Sequence, residues 1–126
     1  MDAVTNFTIR RMSLQLLVAD VDRSVEFYTN HLGFDVDFRY EDFYAGIIKD
    51  GCSIHLKEGA PVLNKRTDQG DTDLDVLFSV DGIGELYQGL LDQSVEIVQA
   101  LRNMPYGKEF YIADPDGHII GFWDNA

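Results

Sequence analysis

The sequence is poor in cysteine and lacks long apolar stretches. One cysteine, Cys52, occurs among 126 residues, so neither an intrachain disulfide nor a multi-thiolate metal site can form. Its place in an apolar segment predicts a small core side chain, and a chain without disulfides is typical of a reducing compartment. No run of 18 apolar residues occurs, and residues 1–12 contain no apolar run of the signal-peptide type. These features predict a cytoplasmic protein that does not enter a membrane.

Basic residues are also scarce. Ten Lys and Arg stand against 22 Asp and Glu, which gives a formal net charge of -12 and a pI near 4.3. A surface of this sign repels nucleic-acid phosphates and anionic lipid, and it concentrates cations. We therefore expect neither nucleic acid nor a membrane surface as the partner, which leaves a small molecule. The charge supports a cationic ligand only weakly, because an acidic surface more often serves solubility.

The chain has the composition of an ordinary globular protein. Hydrophobic residues make up 45% and charged residues 25%, which excludes a low-complexity or disordered chain. At this length we expect a single domain over residues 1–126.

The first half of the chain predicts one strand, one helix and three more strands. Apolar residues recur on one helical face after Asp20 and Asp22, which suit a helix N-cap. Asp50-Gly51 is a hairpin-turn signal between two apolar runs. The predicted elements are a strand over 12–19, a helix from about 21 to 32, and strands over 34–40, 43–48 and 52–56.

The second half repeats this order. Its predicted elements are a strand over 75–80, a helix over 83–92, and strands over 95–101, 109–112 and 119–123. An offset of 59 superimposes identical residues: Asp22 on Asp81, Glu26 on Glu85, Tyr28 on Tyr87, Leu32 on Leu91 and Val36 on Val95. The repeat predicts two βαβββ modules, 12–58 and 73–124, joined by a linker, 59–72. The fold class is α+β, with two curled mixed sheets that enclose a cleft.

Two segments resemble one known family. Residues 18–28 (VADVDRSVEFY) with 32–34 (LGF), and residues 107–118 (GKEFYIADPDGH), resemble the opening and closing segments of the glyoxalase, bleomycin-resistance and extradiol-dioxygenase superfamily, also called vicinal oxygen chelate proteins. The resemblance covers about residues 12–123. It implies paired βαβββ modules, and in the metal-dependent members a divalent metal held from the first and last strands of each module.

The metal-ligand positions that the resemblance implies are degenerate in this chain. They fall on Ser13, His55, Asp75 and Gly121. Glycine has no side chain that could coordinate a metal, and His55 with Asp75 gives too few ligands for a tight site. We therefore expect no catalytic metal, no other cofactor and no catalytic residues.

The resemblance is strongest to the metal-free bleomycin-resistance proteins, which bind and sequester an antibiotic. It implies a homodimer with clefts between subunits and a cationic or aromatic ligand. Aromatic side chains on curled strands can stack against a planar ligand. The predicted ligand-binding residues are Phe38, Tyr44, His55, Asp75, Tyr106 and Trp123.

Two other interpretations stay open. The first is a metal-dependent lyase, isomerase or oxidoreductase of the glyoxalase or dioxygenase type, with an unusual ligand set drawn from His55, Asp75 and Glu109. The second is a vestigial domain that serves protein association. The sequence names neither the ligand nor the physiological role. It also leaves open whether a metal is bound and whether modules pair within one chain or between chains.

Overall fold

The structure is a computed structural model that describes residues 2–61 and 72–125. Residues 62–71 of the predicted linker lie outside the described residues. The elements are, in chain order, β1 (Ser13–Val18), α1 (Val21–Leu32), β2 (Asp35–Tyr40), β3 (Tyr44–Lys49), β4 (Cys52–Glu58), β5 (Val76–Ser79), α2 (Ile83–Asp92), β6 (Ile97–Met104), β7 (Gly107–Ala113) and β8 (Ile119–Asp124).

The strands form two four-stranded mixed sheets of identical topology. The order is β1-β4-β3-β2 in the first and β5-β8-β7-β6 in the second. The outer pairs β1/β4 and β5/β8 are parallel, and the other pairs are antiparallel. The predicted α+β class and its two βαβββ modules are confirmed. Each sheet is open, with β1 and β2 as the edge strands of the first sheet and β5 and β6 as those of the second.

Each helix covers one face of its own sheet. Asp20 caps α1, because its carboxylate accepts a hydrogen bond from Arg23 N, and Gly33 ends it with a φ of 72°. The apolar stripe of α1 is buried: Val21, Val25, Tyr28 and Leu32. No helix among the described residues is long and apolar enough to cross a membrane.

The opposite face of the first sheet carries polar and aromatic side chains. Successive residues of a strand point to opposite faces, and the buried residues of β1, β3 and β4 alternate accordingly: Leu16, Val18, Ala45, Ile47, Ile54 and Leu56. Gln15, Tyr44 and His55 therefore point away from the helix. We call this side of each sheet its open face.

The turn 114–118 joins the two modules within one chain. The carboxylate of Asp114 accepts hydrogen bonds from the main-chain N–H groups of Asp116 and His118, and from the hydroxyl of Tyr28 at 2.8 Å. Asp114 therefore closes its own turn and also holds α1 of the other module.

Asp116 and His118 extend this contact. The carboxylate of Asp116 accepts from the beginning of α1, namely from Ala19 N, Arg23 Nη2 and Ser24 Oγ. The Nε2 atom of the buried His118 lies 2.7 Å from the carbonyl oxygen of Leu17. The sequence predicted a turn here, and the structure adds a junction between modules.

The corresponding turn of the first module, at Asp50-Gly51, makes no such junction with any other described residue. Asp50 lies instead on the wall of an apolar cavity of about 270 Å³, with Ser79 and Val80 among the residues opposite. Cys52 also lines this cavity. The prediction that Cys52 is a core residue is wrong: it is exposed, because it follows the turn directly and pairs with Lys49 at the end of the sheet.

Candidate ligand-binding site

The open face of the first sheet gathers three predicted ligand residues. Phe38 is paired with Gly46 across β2 and β3, and Gly46 with His55 across β3 and β4. A Cβ atom at Gly46 would lie 2.2 Å from Phe38 Cε1, so the absence of a side chain at Gly46 lets the Phe38 ring lie against the sheet. The ring centroids of Phe38 and Tyr44 are 6.0 Å apart and nearly parallel, and those of Phe38 and His55 are 5.1 Å apart and nearly perpendicular.

Tyr40 extends this group at the edge of the sheet. Its ring centroid lies 5.6 Å from that of Phe38, and it is 63% exposed. We call Phe38, Tyr40, Tyr44 and His55 the aromatic cluster. Hydrogen bonds also order it, because Gln15 Nε2 lies 3.1 Å from the Tyr44 hydroxyl, which lies 2.7 Å from His55 Nδ1.

The open face of the second sheet holds Tyr106 and Trp123. Their ring centroids are 6.4 Å apart, and the Trp123 indole N–H donates to the carbonyl oxygen of Tyr106. The Tyr106 hydroxyl donates at 2.6 Å to Glu109, which is only 5% exposed. Arg102 and Tyr111 donate to the other carboxylate oxygen of Glu109. We call these five residues the carboxylate cluster.

Both carboxylate oxygens of Glu109 accept hydrogen bonds from side chains of the protein itself. Burial raises the pKa of Glu109, but hydrogen bonds from Tyr106, Arg102 and Tyr111 outweigh it and hold the pKa below its usual value. The hydrogen bond to Glu109 raises the pKa of Tyr106, while burial first and Glu109 second raise the pKa of Tyr111. At neutral pH the carboxylate is therefore ionised and already satisfied, and it offers little to a cationic ligand.

Asp75 lies away from both clusters. It precedes β5, and its Oδ2 atom accepts a hydrogen bond from Ile119 N at 2.8 Å. The same oxygen lies 3.8 Å from Nδ1 of His118. The six predicted residues therefore fall in three places: Phe38, Tyr44 and His55 together, Tyr106 with Trp123, and Asp75 at the module junction.

The sequence model of the Glyoxalase/Bleomycin resistance protein/Dioxygenase superfamily matches residues 10–122. The chain belongs to this superfamily. No curated protein matches it in sequence.

Solved structures of the superfamily fold superimpose over nearly the whole chain. TioX from Micromonospora sp. ML1 is 21% identical, with a TM-score of 0.75 over 92% of this chain and 98% of TioX. TnmS3, an antibiotic binding protein from Streptomyces sp. CB03234, is 17% identical, with a TM-score of 0.72 over 98% of this chain and 100% of TnmS3. The fosfomycin resistance protein FosX from Listeria monocytogenes is 17% identical, with a TM-score of 0.74 over 98% of this chain and 96% of FosX.

The resemblance implies four metal-ligand positions, and the residues there, Ser13, His55, Asp75 and Gly121, do not fit a metal. Ser13 hydrogen-bonds to the hydroxyl of Ser53, and Asp75 accepts from the main chain. A Cβ atom at Gly121 would lie 2.6 Å from Leu74 Cδ1, so an apolar side chain occupies the space where a ligand would stand. Within residues 2–61 and 72–125, no three His, Cys, Asp or Glu side chains are placed to hold a metal ion.

Sequence reasoning did not include Gln15, Tyr40, Arg102 or Tyr111 among the ligand-binding residues. Arg102 pairs with Glu109 across β6 and β7, and opposite charges at facing strand positions are a signal for such a pair. Two register shifts in β6 interrupt its alternation, so this signal could not be read from the sequence.

A larger cavity, of about 560 Å³, lies beside the aromatic cluster's sheet without including the cluster. Its walls are mostly apolar and come from β1 and the segment before it, from β3 and β4, and from β5, with Met12, Leu14, Ile54, Val76 and Phe78 among them. Asp75 is the one predicted ligand residue on its wall. Its volume lies within the usual range for a small-molecule site.

Proposed function

We propose that this protein binds an aromatic small molecule of the antibiotic type on the aromatic cluster and sequesters it without chemical change. The observation that carries the proposal is the arrangement of Phe38, Tyr40, Tyr44 and His55 on a sheet face that their own module's helix does not cover. Such rings stack on planar ligands with centroid distances of about 4.5–7 Å.

The aromatic cluster is built to stay open for a ligand. Gly46 makes room for the Phe38 ring against the sheet, and hydrogen bonds among Gln15, Tyr44 and His55 orient the Tyr44 and His55 rings. Tyr40 remains mostly exposed beside them. Rings held in place before binding lose little conformational entropy when a ligand stacks on them.

The charge of the protein supports a cationic ligand at long range. A net charge of -12 raises the local concentration of cations. Affinity at the site would come from stacking and from contact between the ligand's charge and the faces of the rings, because Glu109 is occupied by its own donors.

The alternative of a metal-dependent enzyme has less support. It needs ligands from His55, Asp75 and Glu109, which lie in three different hydrogen-bonded settings.

We also propose a homodimer, in which a second copy covers the open face and completes a cleft over the aromatic cluster. The antibiotic-binding relative TnmS3 shares the fold.

Binding and thermal-shift measurements with bleomycin and with 2-(aminomethyl)anthraquinone test the proposal. We expect saturable binding of at least one probe, a rise in melting temperature with probe concentration, and recovery of the probe unchanged by mass spectrometry. Phe38→Leu should weaken binding at least about fivefold, by loss of a stacking partner. Phe43→Leu is the matched control, because Phe43 lies in the adjacent turn and is half exposed.

Three results would contradict this function. One is the absence of binding by both probes, and another is equal loss of affinity in Phe38→Leu and Phe43→Leu. The third is stoichiometric binding of Mn²⁺, Ni²⁺ or Zn²⁺ that His55→Ala abolishes, which would favour the enzyme.

A further inference from the structure

A chain of hydrogen bonds runs across the open face of the first sheet from Gln15 to His55. Gln15 on β1 donates its amide N–H to the hydroxyl oxygen of Tyr44 on β3, at 3.1 Å. That hydroxyl lies 2.7 Å from Nδ1 of His55 on β4. The three groups belong to three neighbouring strands, in the order β1, β4 and β3, and the Tyr44 hydroxyl contacts both of the others.

The direction of the first bond favours one direction of the second. A tyrosine hydroxyl has one proton to donate. Tyr44 already accepts a hydrogen from Gln15, and donation of its own proton to Nδ1 of His55, at 2.7 Å, uses both its acceptor and its donor capacity. Nδ1 then acts as an acceptor, and in the neutral imidazole the proton resides on Nε2.

The Nε2 atom of His55 is available to a ligand. It is the ring nitrogen farther from the main chain. Among the described residues, the buried side-chain nitrogen and oxygen atoms without a partner do not include it, so it is accessible. Within the part of the chain that the structure describes, Nε2 has no hydrogen-bond partner, and the imidazole is half-buried between the Phe38 and Tyr44 rings.

We infer that the Gln15–Tyr44–His55 chain holds His55 as its Nε2–H tautomer and thereby selects aromatic ligands with an accepting oxygen, such as a ring carbonyl or a phenolate. This inference rests on the proposed function and adds the ligand's polar group to it. The rings provide stacking that any planar molecule can use, and the His55 N–H provides discrimination among planar molecules. His55 is a specificity-determining residue that needs Tyr44 and Gln15 for its orientation.

The Gln15→Glu variant reverses this chain with almost no change in shape. A carboxylate at position 15 can only accept, so the Tyr44 proton would turn toward it and Tyr44 would accept from Nδ1–H of His55. Asn103→Asp adds the same charge to an exposed position of β6 and serves as the control. Nitrogen-15 NMR of the His55 ring, above the pH at which the ring is protonated, reports the tautomer without any ligand. We expect Nε2–H in the wild type and in Asn103→Asp, and Nδ1–H in Gln15→Glu.

Ligand selection is tested with two probes that differ only in acceptor oxygens, 2-(aminomethyl)anthraquinone and 2-(aminomethyl)anthracene. One added hydrogen bond predicts about three- to tenfold tighter binding of the quinone by the wild type and by Asn103→Asp. Gln15→Glu should bind the two probes equally.

The outcomes separate the two claims. Equal affinity of the wild type for both probes, or an Nδ1–H tautomer in the wild type, would overturn this inference and leave aromatic binding intact. Binding of neither probe would overturn the aromatic-binding function together with the selection that depends on it.

Discussion

Removal of one hydroxyl group, by Tyr28→Phe, tests how the two modules are held together. Tyr28 is fully buried, and its hydroxyl donates to the carboxylate of Asp114, which is only 5% exposed. Burial first, and the charge of Asp114 second, raise the pKa of Tyr28 well above its usual value. The hydroxyl therefore keeps its proton at any pH of interest, and the hydrogen bond is its role.

The burial of this hydrogen bond and general hydrogen-bond energetics set the size of the effect. Hydrogen bonds to charged groups contribute about 1.5–3 kcal/mol, and water cannot replace the lost donor at a buried site. Asp114 keeps its two main-chain donors on Oδ1, so only Oδ2 loses its partner. We expect Tyr28→Phe to lower the free energy of unfolding by about 2 kcal/mol at pH 7.

The stability that Tyr28→Phe removes should depend on pH in a defined direction. Burial raises the pKa of Asp114, while the hydrogen bond from Tyr28 lowers it. A carboxyl whose pKa is higher in the folded state than in the unfolded state binds more protons when folded, so its contribution to stability falls as pH rises between the two values. Tyr28→Phe raises the folded pKa further. The loss of stability in Tyr28→Phe is therefore greatest at a pH where Asp114 is ionised in both proteins, and it shrinks as the pH falls toward about 4.

Urea denaturation of the wild type and the variant at several pH values measures this cost. Tyr87→Phe is the matched control, because Tyr87 occupies the same place in α2, packs on Phe110, and has no hydroxyl partner within the described residues. We expect Tyr87→Phe to cost less than about 0.5 kcal/mol. A cost of Tyr28→Phe no larger than the control, or one that grows as the pH falls, would refute the reasoning.

Three further substitutions test the clusters and the sheet. Gly46→Ala should displace the Phe38 ring, with about 1 kcal/mol lost in urea denaturation and at least about fivefold weaker binding of 2-(aminomethyl)anthraquinone; unchanged binding would contradict the site. Glu109→Gln should lower the free energy of unfolding by about 2–3 kcal/mol at pH 7. Because the pKa of Glu109 is lowered in the folded protein, this difference from the wild type should vanish as acid protonates Glu109. A difference that persists at low pH would contradict the charged state. Gly107→Ala should lower the free energy of unfolding by about 3 kcal/mol or more, since the φ of Gly107 is 133° and a Cβ atom would lie 2.3 Å from the carbonyl oxygen of Asp124. Retention of wild-type stability on thermal denaturation would exclude this strain.

The fold was predictable because its signals are local. The α1 stripe, the Asp20 cap and the Asp50-Gly51 turn each depend on residues a few positions apart, and the structure contains all three. The end of β6 was not predictable, because register shifts between Ile97 and Gln99 and between Gln99 and Arg102 interrupt the regular alternation of that strand.

The site was predictable only in part. The open face depends on strand register, and a register shift between Val36 and Phe38 decides that Phe38 lies over Gly46. No local pattern reveals such a pairing. The position of Asp75 beside Ile119 also follows from the parallel pairing of β5 with β8, which only the folded chain shows.

The difference between the two hairpin turns has a consequence for motion. A repeated module offers two equivalent places where a turn can meet the start of the other module's helix. One is closed by Asp114, Asp116 and His118, and at the other Asp50 faces a cavity across from Val80. We expect a hinge motion of the two modules about the turn 114–118, with the largest displacement on the side of the cavity. Hydrogen exchange should then be faster at β5 and at the beginning of α2 than at the beginning of α1.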